Sequence, residues 1–136
     1  AQMAAPQGET AAVLGQHAHA MTDVTGFGLA GHVAAMGRAS GLAAVLWQNE
    51  IVAYDGARAL VERGVASTLM PANRADAPVE GIEDPLLHDP QTAGGLLAAM
   101  SLEDAEKTVA QIGPQARVIG VLQAGVAGQI SWQASR

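Results

Sequence analysis

A single carboxylate, Asp23, stands between a stretch typical of a β-strand and a turn that contains Gly26 and Gly28. A helical pattern follows the turn, and unpaired N–H groups at the start of a helix attract anions. Glycines let a ligand approach the backbone closely, and an aspartate can hold a Mg²⁺ ion that bridges to phosphate oxygens. The segment is therefore a candidate site for magnesium and phosphate. In the alternative interpretation, Asp23 only caps the turn by accepting hydrogen bonds from nearby N–H groups.

A second glycine-containing segment runs from His88 to Leu97. Asp89 precedes a proline, which favours an extended conformation, and two glycines then lead into an apolar strand. In the functional interpretation, Asp89, Gln91 and Thr92 form a rim near a ligand or a domain contact. In the structural interpretation, the segment is a turn that starts a strand, and its glycines allow tight packing.

Other residues that could do chemistry give weaker patterns. Three histidines, His17, His19 and His32, suggest a metal, but no acidic or cysteine partner stands at a recognisable interval, so zinc is disfavoured. His32 is better explained as a packed or capping side chain. The acidic cluster of Glu80, Glu83, Asp84 and Asp89 is most simply a solvated loop, although paired carboxylates also bind magnesium. With no cysteine and no activated serine or threonine, we predict no catalytic residue in this chain.

The elements that must position these residues alternate between strands and helices. The pattern predicts strands at His19–Thr25, Leu42–Gln48 and Gly94–Met100, and an antiparallel hairpin of residues 116–122 with 129–132. It predicts helices at Glu9–Gln16, after a cap at Thr25, at Tyr54–Arg63, and after the capping pair Ser101 and Asp104. Residues 67–92 contain four prolines and are predicted as an extended surface loop. We expect an α+β fold, a mixed sheet with helices packed on one face.

Composition narrows the class of protein. A chain of 136 residues is expected to form one domain, and 49% apolar residues exclude a disordered tail. The net charge of −6 argues against nucleic acid as a partner, since little positive charge is available for phosphates. No stretch is apolar enough for a membrane span. The chain begins at residue 1 without Met, and we expect it to be part of a longer polypeptide.

Taken together, the segments TDVTGFGLAGH at 22–32 and DPQTAGGLL at 89–97 resemble the carboxy-terminal half of the selenophosphate synthetase family, also called selenide, water dikinases. The two segments occur in that family's order and at about its spacing. The intervening residues 56–74 and the closing IGVLQAGVAGQISW are similar as well, so the resemblance extends from about His17 to the end. Aminoimidazole ribonucleotide synthetase and related enzymes share the fold, while Phe27 between two glycines and the DPQT segment favour the selenium family.

The resemblance implies an ATP-dependent reaction in which selenide and water yield selenophosphate, AMP and phosphate, with Mg²⁺ holding the nucleotide. Asp23 matches the family's carboxy-terminal magnesium-binding aspartate. By position, Thr22, Thr25, Gly26, Asp89, Gln91 and Thr92 are expected to shape the phosphate side of the cleft. The family's amino-terminal ATP-binding domain, with its reactive Cys or selenocysteine and catalytic Lys, has no counterpart here. Residues 1–136 are then a single carboxy-terminal domain, inactive alone, of a cytoplasmic enzyme that is expected to be a homodimer.

Two alternatives remain at this stage. The chain could belong to another ATP-using member of the superfamily, such as an aminoimidazole ribonucleotide synthetase. It could also be a non-catalytic interaction module that keeps the fold without the ATP-binding half.

Overall fold

The computed structural model of the chain describes residues 5–81 and 84–136. The helices are α1 (Gly8–Leu14), α2 (Gly28–Ser40), α3 (Ala57–Glu62), α4 (Met70–Asp76) and α5 (Leu102–Ile112). The strands are β1 (Ala20–Asp23), β2 (Ala43–Trp47), β3 (Val79–Glu80), β4 (Leu96–Ala99), β5 (Gly120–Gln123) and β6 (Ile130–Gln133). Short 3₁₀ helices lie at Gln48–Glu50 and Pro85–His88. The predicted α+β class is confirmed.

The larger sheet has the strand order β3-β6-β2-β5 and is mixed. Strand β2 pairs antiparallel with β5 and parallel with β6, and β3 pairs parallel with β6. All five residues of β2 are buried, as expected for a continuous apolar run in the interior of a sheet. The sheet is therefore built around β2 and β6.

Helix α2 packs against β2 and β6 through small side chains. Ala30 and Ala34 have no exposed surface, and they belong to a core that also contains Leu46, Leu87 and Ile130. A side chain at Gly37 would place its Cβ 2.8 Å from the backbone oxygen of Leu42, so glycine permits the close approach. The helix ends at Gly41, which adopts the left-handed conformation common after a helix.

Strands β1 and β4 form a separate two-stranded antiparallel ladder in which Ala20 lies opposite Ala99 and Asp23 opposite Leu96. The backbone N–H of Val24 extends the ladder by donating to Gly95 (2.9 Å). The residues of β4 are half-buried, whereas a buried strand was predicted. This ladder brings the two motif segments side by side.

The prediction of an extended loop over residues 67–92 is wrong. Helix α4, strand β3 and the 3₁₀ helix Pro85–His88 lie within that segment. Pro71 falls in the first turn of α4, where a missing N–H costs no helical hydrogen bond. Proline therefore marks the start of a helix here, and a count of prolines does not distinguish this from a loop.

The predicted closing hairpin is also wrong, although β5 and β6 do run in opposite directions. The two strands lie on either side of β2 and are not hydrogen-bonded to each other. The six-residue connection of residues 124–129 is long enough to cross two strand spacings, about 10 Å. Pairing on both sides lets β2 satisfy both of its backbone edges in the interior.

The start of α5 follows the prediction. Ser101 accepts a hydrogen bond from the Asp104 N–H (3.2 Å), and its hydroxyl donates to the Asp104 carboxylate (2.6 Å). That hydrogen bond is the main reason why the pKa of Asp104 lies below its ordinary value. By contrast, α2 begins after Phe27 without a side-chain cap, so the predicted cap at Thr25 is not formed.

Across both described ranges, no helix combines the length and the apolar character that a membrane crossing requires.

We predict that Ile130→Ala lowers the free energy of unfolding by about 2–5 kcal/mol, because the side chain is fully buried in an interior strand. Val126→Ala is the matched control. Val126 is 69% exposed in the β5–β6 connection, and its truncation is expected to change stability by less than about 0.5 kcal/mol. Urea unfolding measures the free energy of unfolding of both variants. An equal loss of stability in Ile130→Ala and Val126→Ala would contradict the interior position of β6.

Candidate functional site

Asp23 is the last residue of β1, and its side chain is exposed. Within the described ranges, no group donates a hydrogen bond to its carboxylate and no cation pairs with it; the neighbouring Thr22 hydroxyl donates instead to the Asp23 backbone oxygen (3.1 Å). The alternative in which Asp23 caps the turn through its side chain is thus not the observed geometry. The carboxylate is available to a ligand from outside this chain.

The turn after Asp23 has most of its backbone fixed by hydrogen bonds. The Thr25 carbonyl accepts from the N–H groups of Gly28 (3.1 Å) and Gln91 (3.0 Å). Gly26 and Phe27 are exposed, and their own N–H groups have no partner in the described parts of the chain. Two unpaired donors therefore stand within four residues of an unpaired carboxylate.

His32 fixes the N–H of Thr25 from the first turns of α2. The Thr25 N–H donates to Nε2 of His32 (3.0 Å), and the Thr25 hydroxyl lies 3.3 Å from the same nitrogen. Because Nε2 accepts, its lone pair faces Thr25. The ring also meets the exposed Phe27 edge-on, with 5.9 Å between ring centroids. His32 does not cap α2 but packs against the turn and accepts a hydrogen bond from it, which agrees with the packed role among the two that the sequence suggested.

The two motif segments fit together so closely that two glycines are required. A Cβ on Gly94 would lie 2.3 Å from the backbone oxygen of Val24. Gly28 has a positive φ of 68°, and a Cβ there would lie 2.8 Å from the Leu87 oxygen. Gly28 therefore allows the start of α2 to pack against the backbone of residues 87–89. Gly26 differs, since a Cβ there would meet no atom of the chain within 4 Å.

Asn73, which sequence reasoning missed as a site residue, joins both segments from α4. Its side-chain nitrogen donates to the Gly26 oxygen (2.8 Å) and to the His88 oxygen (3.0 Å), and the residue is buried. The available signal was an asparagine in the segment similar to the selenophosphate synthetase family. Its partners, 47 and 15 residues away, could not be read from that signal.

The remaining predicted residues lie along the edge of the second segment. Gln91 contacts the turn through its backbone, while its side-chain amide lies 3.5 Å from the Asp89 oxygen. Asp89 is half-buried, and Thr92 is exposed. The fold thus brings Thr25, Gly26 and Gln91 together next to Asp23, whereas the side chains of Asp89 and Thr92 form no hydrogen bond to the turn in the described structure.

The acidic cluster is not a uniformly solvated loop. Asp84 is buried, caps the 3₁₀ helix by accepting from the Leu86 N–H (3.1 Å), and forms an ion pair with Arg58 (2.7 Å). Glu80 accepts a hydrogen bond from Gln129, and Glu83 lies outside the described residues. In the part of the chain that the structure describes, no three His, Asp or Glu side chains come close enough together to hold a metal. Asp23 can supply one ligand to a metal whose other ligands come from elsewhere.

The paired glycines yield a test of the contact between the segments. We predict that Gly94→Ala destabilises the chain by about 1–3 kcal/mol, because the methyl group would collide with the Val24 backbone. The adjacent Gly95→Ala should change stability by less than about 0.5 kcal/mol, since nothing lies within 4 Å of its added carbon. Thermal unfolding of both variants measures these changes in stability. A Gly94→Ala variant as stable as the parent would show that the segments are not in contact.

Curated proteins similar to this chain are named selenide, water dikinase. The protein from Dechloromonas aromatica is 37% identical over 122 residues, which cover 81% of this chain and 35% of that protein. The protein from Bdellovibrio bacteriovorus is 38% identical over 67% of this chain and 28% of its own length. The protein from Rhizobium meliloti is 36% identical over 80% of this chain and 35% of its own length. The chain thus spans about a third of the length of these relatives.

A family profile covers nearly the whole chain. Residues 3–133 match the family described as "AIR synthase related protein, C-terminal domain". The match includes both motif segments, the ladder of β1 and β4 that joins them, and Asn73. The chain therefore belongs to the family of AIR synthase related protein C-terminal domains.

Proposed function

We propose that this chain is the carboxy-terminal domain of a selenide, water dikinase, which converts selenide, ATP and water into selenophosphate, AMP and phosphate. The proposal rests on one observation above all. Asp23 has an exposed carboxylate at the end of β1, beside a turn with two free N–H groups, and none of the three has a partner among residues 5–81 and 84–136. The names of the similar proteins support the reaction, and their length supports a partner domain on the same polypeptide.

Within this proposal, Asp23 contributes one oxygen ligand to a Mg²⁺ ion. Magnesium prefers six oxygen ligands and is usually held by one or two carboxylates together with water and substrate phosphates, so a lone exposed aspartate suits the role. The bound ion would neutralise charge on the nucleotide phosphates. The remaining ligands come from the amino-terminal ATP-binding domain and the nucleotide.

The turn binds the phosphate side of ATP through its backbone. The N–H groups of Gly26 and Phe27 donate to phosphate oxygens, as N–H groups before a helix commonly do. The Thr25 hydroxyl is held beside His32 and can donate to the same oxygens. Gly26 keeps its part of the turn surface open, because a side chain added there would project into free space.

The acidic chain does not supply the positive charge that a triphosphate needs. With 13 acidic and 7 basic residues, it relies on the magnesium ion and on the other domain. We therefore expect this chain alone to be inactive. We also propose that the intact enzyme is a cytoplasmic homodimer that takes selenide as its substrate, with the nucleophile on the amino-terminal part.

The role of Asp23 is tested in the full-length protein. We predict that Asp23→Asn reduces selenide-dependent formation of AMP from ATP by at least roughly 100-fold, since loss of residues that only support metal ligands already costs about 10–100-fold. The matched control is Asp55→Asn, an exposed aspartate in the turn before α3. Full activity of Asp23→Asn would contradict the assignment. Formation of an aminoimidazole nucleotide, with no selenide-dependent AMP, would identify the sister activity.

A substitution at Gly26 allows the proposed function of the turn to be tested without a change in stability. We predict that Gly26→Ala leaves the free energy of unfolding within about 0.5 kcal/mol of the parent, because its methyl group meets no atom of the chain. The same methyl group would stand between the turn and the phosphates, and displacements of about 1 Å can cost 10²-fold in rate. Gly28→Ala is the contrasting variant, with reduced stability. A Gly26→Ala enzyme with unchanged kcat/KM for ATP would exclude phosphate contact at the turn.

A further inference from the structure

Asn73 is the one side chain in the described structure that hydrogen-bonds to the backbone of both motif segments. It donates to the Gly26 oxygen in the first segment and to the His88 oxygen in the second. A primary amide nitrogen has two hydrogens, so both are used. The amide of Asn73 is therefore fully committed to holding the two segments together.

Asn73 is itself held in place by its position in α4. The residue is 7% exposed, and its own carbonyl accepts from the Ala77 N–H (3.0 Å). The Ala77 carbonyl in turn lies 3.0 Å from Nε2 of the buried His88. Helix α4 is thus bonded to the 3₁₀ helix at two points, and Asn73 extends that attachment to the turn.

The bond to Gly26 affects the part of the turn that the proposed function uses. The Gly26 carbonyl belongs to the same peptide unit as the Phe27 N–H, and a peptide unit is planar. A donor that fixes this carbonyl therefore fixes the direction of the Phe27 N–H. Gly26 has no side chain to restrict its own ψ angle, so the hydrogen bond from Asn73 adds a restraint on this unit that a bulkier residue would partly supply by itself.

We propose that Asn73 is a positioning residue, which orients the peptide between Gly26 and Phe27 so that its N–H meets a nucleotide phosphate. This inference rests on the proposed function of the turn. Asp23 is held separately by the ladder of β1 with β4. Loss of Asn73 should therefore weaken nucleotide binding while leaving the carboxylate in place.

The test uses the full-length enzyme with Asn73→Ala, which removes both donors. We expect KM for ATP to rise about ten-fold while kcat changes less, because about 1.4 kcal/mol of binding, within the value of one hydrogen bond to a charged group, corresponds to a factor of ten. The control is a core variant, Ile130→Val or Ile130→Ala, chosen to lower the urea midpoint by the same amount. Ile130 lies in the larger sheet and should leave KM for ATP unchanged.

Two outcomes overturn the inference. One is an unchanged KM for ATP in Asn73→Ala; the other is an equal rise in the Ile130 control, which would show a general effect of stability. If Asn73→Ala fails to fold, Asn73→Leu fills a similar volume without any donor and carries the same test, and an unchanged KM in it counts against the role. Asp23→Asn measured in parallel separates the two proposals. Full activity of that variant contradicts the proposed function, whereas an impaired Asp23→Asn beside a normal Asn73→Ala contradicts only the positioning role.

Discussion

The candidate site depends on contact between two backbone segments that are distant in the sequence. Hydrogen bonds from Val24 to Gly95 and from Gln91 to Thr25 join them directly, and the Asn73 amide joins them a third time. Buried backbone polar groups need such partners, so the contact determines the shape of the turn as much as the turn's own residues do. The Asp23 carboxylate and two N–H groups have no partner in the part of the chain that the structure describes, and they stand out because the backbone around them is so fully hydrogen-bonded.

Under the proposed function, this arrangement lets a short and acidic chain contribute to the binding of nucleotide phosphates. The chain contributes one positioned carboxylate and an exposed turn, and it contributes little of the positive charge that nucleotide phosphates need. A magnesium ion meets that need only if other ligands complete its coordination. A need for ligands from outside the chain is consistent with a chain that spans about a third of the length of its relatives.

The sequence patterns correctly predicted those structural features that depend on interactions between residues close together in the chain. The capping pair Ser101 and Asp104, the apolar strand β2 and the strand that ends at Asp23 each depend on neighbouring residues, and each was found close to its predicted place. The order of strands was not predictable in this way. The sequences of β5 and β6 are equally compatible with a hairpin in which they pair with each other and with the observed sheet, in which they lie on either side of β2. Asp84 was taken for a solvated residue since Arg58, its partner, lies 26 positions earlier. Asn73 escaped notice for the same reason. The motif predicts Asp23 as the carboxylate of the candidate site, but it did not predict the residues that hold the turn beside it.

The pairing of Ala20 with Ala99 sets an order of events for a chain that is still being made. The backbone hydrogen bonds of helix α2 join nearby residues, whereas the turn before it lacks its partners until Gln91, 66 positions after Thr25, and Gly95, 71 positions after Val24, have been synthesised. Closing so long a loop costs entropy that nearby contacts do not have to offset. The candidate site therefore acquires these hydrogen bonds only after most of the chain has been synthesised. A product that terminates before residue 91 would carry the first motif segment without the bonds that fix its turn.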